Sequence, residues 1–146
     1  MKAFMSNPVQ VETTTGTSLN SLVNQLMDEY RQLAYRSNSV ISNEIEPGFF
    51  TAAPSYLIRP VLDEIFQSLL QAAHNGQISI FAEKFGDNIT IEFEEHNNYN
   101  GYALAFRLCR VEPLARKAGG YLSVKGEKSL LARVSFCFPD IAGKSF

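Results

Sequence analysis

VLDEIFQSLLQAAHNG, residues 61–76, sets Val61, Leu62, Ile65, Phe66, Leu69, Leu70 and Ala73 at the spacing of three and four that makes one broad apolar helical face. Pro60 suits the first turn, where its missing N–H costs nothing. Gly76 suits the stop, because it adopts the left-handed conformation beyond a last turn without strain. Gln67, Ser68, Gln71 and Asn75 fall on the opposite side, which an ordinary helix turns to water.

Downstream, QISIFA (77–82) and NITIEFE (88–94) alternate as strands, with Ile78, Ile80, Ile89, Ile91 and Phe93 pointing one way. Gly86-Asp87 between them predicts an antiparallel hairpin. Glu95 to Gly101 reads as a loop by composition. From Tyr102 to Ala118, the residues Leu104, Leu108, Val111, Ala115 and Ala118 share a helical face, but Pro113 would remove the bond to Cys109. Either that helix bends or a short new one starts near Glu112. Gly119-Gly120 ends it. Tyr121–Val124 and Leu130–Phe138 read as strands joined by the polar turn Lys125–Ser129, and Pro139 closes the last one.

Upstream, Ser39–Ile45 is β-like, Glu46-Pro47-Gly48 is a turn, and Phe49 and Phe50 are expected to be buried. Leu19, Leu22, Val23, Leu26, Met27, Tyr30, Leu33 and Ala34 predict one amphipathic helix over 19–36, capped by Thr17 or Ser18. Its stripe packs on the domain's own sheet or forms a dimer seam. The first is favoured, since one helix of ordinary length needs no partner chain. Residues 1–17 read as a flexible arm, 18–139 as one domain and 140–146 as a tail.

The length of 146 residues suits a single core. With 45% hydrophobic and 19% charged residues and a net charge of -2, the composition is that of a globular protein without a nucleic-acid-binding surface. Cys109 and Cys137 are expected as buried thiols. His74 and His96 have no nearby Cys or His at ligand spacing, so no metal site is expected. MKAFMSNPVQ lacks an apolar signal core and no run is long enough to span a membrane, which predicts a cytoplasmic protein.

The order helix, strand, helix, hairpin, loop, helix, hairpin resembles the ATP-binding catalytic domain of sensor histidine kinases, in the GHKL ATPase superfamily. The resemblance covers roughly 18–139. It is carried by AGGYLSV (118–124) and ARVSFCFP (132–139) after a helix, and by SNSVISNEIEP (37–47) before the central helix. It implies an α/β two-layer sandwich, with one mixed sheet and helices on one face.

In the family the central helix carries a pattern of the type N-L-L-x-N-A, whose second Asn ligates a Mg²⁺ on the ATP phosphates. Aligning Ile65-Phe66 and Leu69-Leu70 places Ser68 at the first Asn, Ala72 at the second and Ala73 at the Ala. A methyl group cannot ligate a cation. A shift by one would bring in Gln71 but would bury Glu64. In the next motif, D-x-G-x-G, the Asp accepts from the adenine amino group. Glu95 takes its place here, with Asn97 and Tyr99 at the glycines. Glu95 then reads either as that acceptor or as an exposed loop acid. The family's lid is almost absent. Gly101 and Ala103 stand nearest its Gly-x-Gly, whose amides hold phosphates.

The resemblance therefore implies a degenerate, stand-alone domain that works in bacterial signal transduction through protein contacts. A kinase or response regulator is the expected partner, no cofactor is expected, and the domain is a monomer or weak dimer. The alternatives are an active kinase using ATP and Mg²⁺ on a partner's phosphoacceptor, or part of a histidine phosphotransfer protein. No phosphoacceptor hairpin is present, and His74 reads as a surface or capping residue.

Overall fold

The computed structural model describes residues 16–97, 101–126 and 131–142, with backbone alone for 101–103. In chain order the elements are β1 (Thr17–Ser18), α1 (Leu19–Glu29), α2 (Arg31–Arg36), β2 (Val40–Asn43), β3 (Phe50–Thr51) and α3 (Ser55–Ala72). There follow β4 (Gln77–Phe85), β5 (Asn88–His96), α4 (Gly101–Leu108), a 3₁₀ turn (Cys109–Val111), α5 (Glu112–Lys117), β6 (Tyr121–Lys125) and β7 (Leu131–Pro139). The main sheet has the order β2-β4-β5-β7-β6. β2 runs parallel to β4 and the other pairs are antiparallel, so the sheet is mixed. β1 and β3 form a separate two-stranded ribbon.

Alternation sends Ile78, Ile80, Ile89, Ile91, Phe93, Val134, Phe136 and Phe138 to one face, where all are buried in a single cluster with the helices. The face of α3 that meets them carries Ile65, Phe66, Leu69 and Leu70, as its spacing predicts. The other face of the sheet is polar. There Arg133 reaches Glu92 at 2.8 Å and Glu94 at 3.2 Å. Burial, then the hydrogen bond with Glu94, raises the Glu92 carboxyl above its usual range despite Arg133. The result is the expected two-layer sandwich.

Several local expectations are corrected. The helix expected over 19–36 is two, broken at Tyr30 (φ -100°, ψ 14°). The Tyr30 hydroxyl donates to Asp63 of α3 at 2.8 Å and its ring stacks on Phe66, so the contact with α3 coincides with the break. Burial, then the bond to Asp63, raises the Tyr30 pKa well above the phenol range. The stripe survives, with Leu19, Leu22, Val23, Leu26 and Ala34 all buried in this chain's own core. Ser18 supplies the N-cap, accepting from the Ser21 amide.

α3 starts at Ser55, so Pro60 lies inside the helix and not in its first turn. The Tyr56 carbonyl loses its helical donor there, at a residue that is 72% exposed. The left-handed residue beyond α3 is Asn75 (φ 56°), not Gly76. Phe50 is 56% exposed and Phe49 half-buried, because β3 turns Thr51 inward instead. α5 starts at Glu112 with Pro113 in its first turn, the second of the two readings for that region. Winding as a 3₁₀ turn puts Val111 inside and leaves Cys109 exposed, while Cys137 is half-buried on the open sheet face. Neither is the fully buried thiol expected, and both are free. The Gly119-Gly120 pair has a steric reason: Gly119 has φ 82°, and a Cβ on Gly120 would stand 1.9 Å from the Cys137 carbonyl oxygen.

Residues 1–15 of the expected arm and 143–146 of the expected tail lie outside the described residues. Thr17 is already in β1. Asp140, placed in the tail, is anchored. Its carboxylate accepts from Thr51 Oγ1 and the Ala52 amide, each at 2.7 Å, and pairs with Lys84 at 2.8 Å. Burial alone would raise its pKa, but Lys84, the Ala52 amide and Thr51 outweigh burial and lower it. A carboxyl depressed in the folded state stabilises the fold above its unfolded pKa of about 3.9, and that contribution fades as pH falls through the folded value. Asp140→Asn is expected to cost about 1–3 kcal/mol at pH 7 and to flatten the acid limb of stability against pH, measured by urea unfolding. An unchanged limb would refute this role.

Candidate functional site

The residues aligned with the family's nucleotide motifs come from the C-terminal half of α3, the end of β5 and the start of α4. Glu64, Ser68 and Gln71 share one side of α3, being spaced by four and three. α4 and the 3₁₀ turn cover that side. Arg107 donates to Gln71 Oε1 at 2.9 Å, and Arg110 lies 4.0 Å from Glu64. Between those contacts Ser68 is fully buried, and its hydroxyl has no hydrogen-bond partner among the described residues. The expectation that this side faces water is therefore wrong for Ser68. Leu104, Leu108, Val111 and Ala115 are buried with α3 in the same core. Ala72, at the second Asn position, is half-buried and packs on the core. Neither residue presents an exposed oxygen, so the pair does not fit a metal ion.

Glu95 is not a loop acid. It is in β5, opposite Ile78 and Ala132, and is 0% exposed. Alternation through Ile91 and Phe93 turns it inward. There it approaches the backbone at Gly76 so closely that a Cβ at that position would lie 2.7 Å from Glu95 Oε2. The glycine after α3 thus makes room for the carboxylate rather than closing the helix.

Asn97 adopts φ 70° and donates from Nδ2 to the Asn75 carbonyl at 3.1 Å. Asn38, also left-handed, donates to the Asn75 side chain at 2.6 Å. Three asparagines thus tie the loops after α2, α3 and β5 together. Asn tolerates the left-handed region better than other side-chain-bearing residues. Asn97 accordingly holds a backbone conformation natural to glycine. Asn38 was missed in the sequence, although an Asn between polar neighbours at a helix end is a signal for this conformation.

The structure brings Glu95 and Asn97 together at the end of α3, with Ala72 and then Ser68 further up the helix. Gly101 opens α4 and Ala103 follows in its first turn. Tyr99 lies outside the described residues. Among the described residues, Ser68, Ala72, Glu95 and Asn97 do not line the hollows formed by Glu44, Phe81 and Glu92, by Met27, Arg31 and Ile41, or by Leu33, Arg36 and Arg107. No group of three or more His, Cys, Asp or Glu among the described residues is placed to hold a metal.

No family model matches the sequence, and no curated protein matches it. Solved structures do match. The catalytic domain of the histidine kinase ThkA, in a nucleotide-free form, superposes with a TM-score of 0.68 at 16% identity, over 87% of this chain and 95% of that one. The fold is that of the histidine kinase catalytic domain. Acinetobacter baumannii histidine kinase AdeS gives a TM-score of 0.72 at 11% identity, covering 86% of this chain and 66% of its own. Full-length ShkA, solved in complex with AMPPNP, gives 0.72 at 15% identity, with 94% of this chain matched to 33% of ShkA. ThkA has also been crystallised with the response regulator TrrA. No helix among the described residues is long and apolar enough to cross a membrane.

Proposed function

We propose that this chain is a degenerate histidine-kinase-type domain that serves bacterial signal transduction by binding a protein partner, with ATP binding weak or lost. The observation that carries this reading is Ser68. At the place of the family's first Asn stands a short hydroxyl, fully buried beneath α4, with Ala72 one turn on. A response regulator or a kinase is the partner class, supported by the ThkA complex with TrrA. The domain works in the cytoplasm, without nucleic acid or membrane. A thermal-shift titration with ATP and Mg²⁺ tests the reading, because tight binding to the native state must raise its melting temperature.

Two observations favour the second reading, an active domain acting on a partner-supplied phosphoacceptor. Glu95 keeps a carboxylate at the strand end, and Asn97 keeps a glycine-like backbone. A melting temperature that rises at micromolar ATP would select it.

Leu26 is 0% exposed within this chain alone, so its side chain is not available for a seam. Sedimentation is expected to give a monomer or weak dimer. Leu26→Glu is expected to unfold the protein. A tight dimer converted by Leu26→Glu to a folded monomer would overturn this.

A further inference from the structure

Over the C-terminal ends of α2 and α3 lies a hollow of about 420 Å³, walled by Leu33, Arg36, Ser37, Gln71, His74 and Arg107 among others. It adjoins the Arg107–Gln71 contact that closes over Ser68, but neither Ser68 nor Glu95 lines it. Nitrogen-bearing side chains from three places in the fold meet in it: Arg36 at the end of α2, His74 just beyond α3, and Arg107 on α4. No carboxylate among the described residues lines it.

The two guanidinium groups are not consumed elsewhere among the described residues. The described ion pairs use Arg31, Arg59, Lys84, Arg110 and Arg133. The one described bond of Arg107 is to the neutral amide of Gln71, which holds the guanidinium on the wall and leaves its charge unmatched among the described residues. A cation in a last helical turn ordinarily serves the terminal carbonyls. At α2 that role is already filled. Leu33 O accepts from the Ser37 amide, Ala34 O from the Ser39 amide, and Tyr35 O from the Asn38 amide.

We propose that this hollow is a binding site for an oxyanion of the phosphoryl class, held by Arg36 and Arg107 with His74 as a third donor. The planar fork of a guanidinium matches two oxygens of such a group, and charge-assisted bonds are the strong ones. The group is either free phosphate or a phosphorylated side chain on a partner protein. The proposal does not depend on whether ATP binds elsewhere.

The test is an NMR titration of the full chain with inorganic phosphate. Parallel titrations use a phosphoserine peptide, its unphosphorylated form, and sodium chloride at matched ionic strength. Saturable shifts are expected at the amides of Arg36, His74 and Arg107. Arg36→Gln with Arg107→Gln is expected to weaken binding by about tenfold or more, with the spectrum otherwise that of the folded protein. Arg36→Gln alone, at an exposed position, gives the same direction should the double variant fail to fold. Phosphopeptide binding much tighter than phosphate assigns the group to a partner; equal affinities assign it to a free anion. Shifts that chloride reproduces, or binding unchanged in the Gln variants, overturn the site.

Discussion

Titration with ATP, with or without Mg²⁺, is expected to show no saturable binding at micromolar concentrations. Three features act independently. Ala72 offers a methyl group where the resemblance calls for a metal-ligating amide. Ser68, one turn back, is sealed beneath α4. The short stretch from Glu95 to Gly101 and the Ala103 substitution leave few amides to hold phosphates. Each missing contact to a charged or metal-bound group forfeits about 1.5–3 kcal/mol. Two such losses turn a micromolar site into one near ~1 mM, because each 1.4 kcal/mol is about tenfold. Ala72→Asn alone is expected to leave binding undetected, since the cover over Ser68 and the absent phosphate amides are untouched. Calorimetry that finds a micromolar site abolished by Glu95→Ala would defeat this reading and favour the kinase alternative.

Leu69→Ala is expected to destabilise the domain by about 2–5 kcal/mol, the range for truncating a large buried aliphatic side chain. Leu69 is 1% exposed and belongs to the core cluster that joins α3 to the sheet. Truncation leaves a cavity between two layers that are each braced by their own backbone bonds, so neither can collapse into it. Urea unfolding measures the loss. A change below about 0.5 kcal/mol, the size of an ordinary surface substitution, would mean that α3 is not the central packing element.

The sequence by itself determined the elements whose pattern repeats along the chain. The three-and-four spacing from Val61 to Ala73 marks α3, strict alternation marks β4, β5 and β7, and Gly86-Asp87 marks the hairpin between them. Such periods are legible because a helix or strand buries one face whatever packs upon it. Element order and the closing Gly-Gly segment then carried the likeness to kinase domains, and the matched structures share that architecture. What only the tertiary structure decided are contacts between distant segments. Tyr30 meets Asp63, where one expected helix becomes two. Glu95 turns inward because β5 continues past Phe93, and Gly76 gives it space. Ser68 is covered because α4 returns across α3. Spacing marked the first of these as unbroken helix and the third as a water-facing side, and composition marked the second as loop, because a residue's own neighbours in sequence do not specify which element will pack over it.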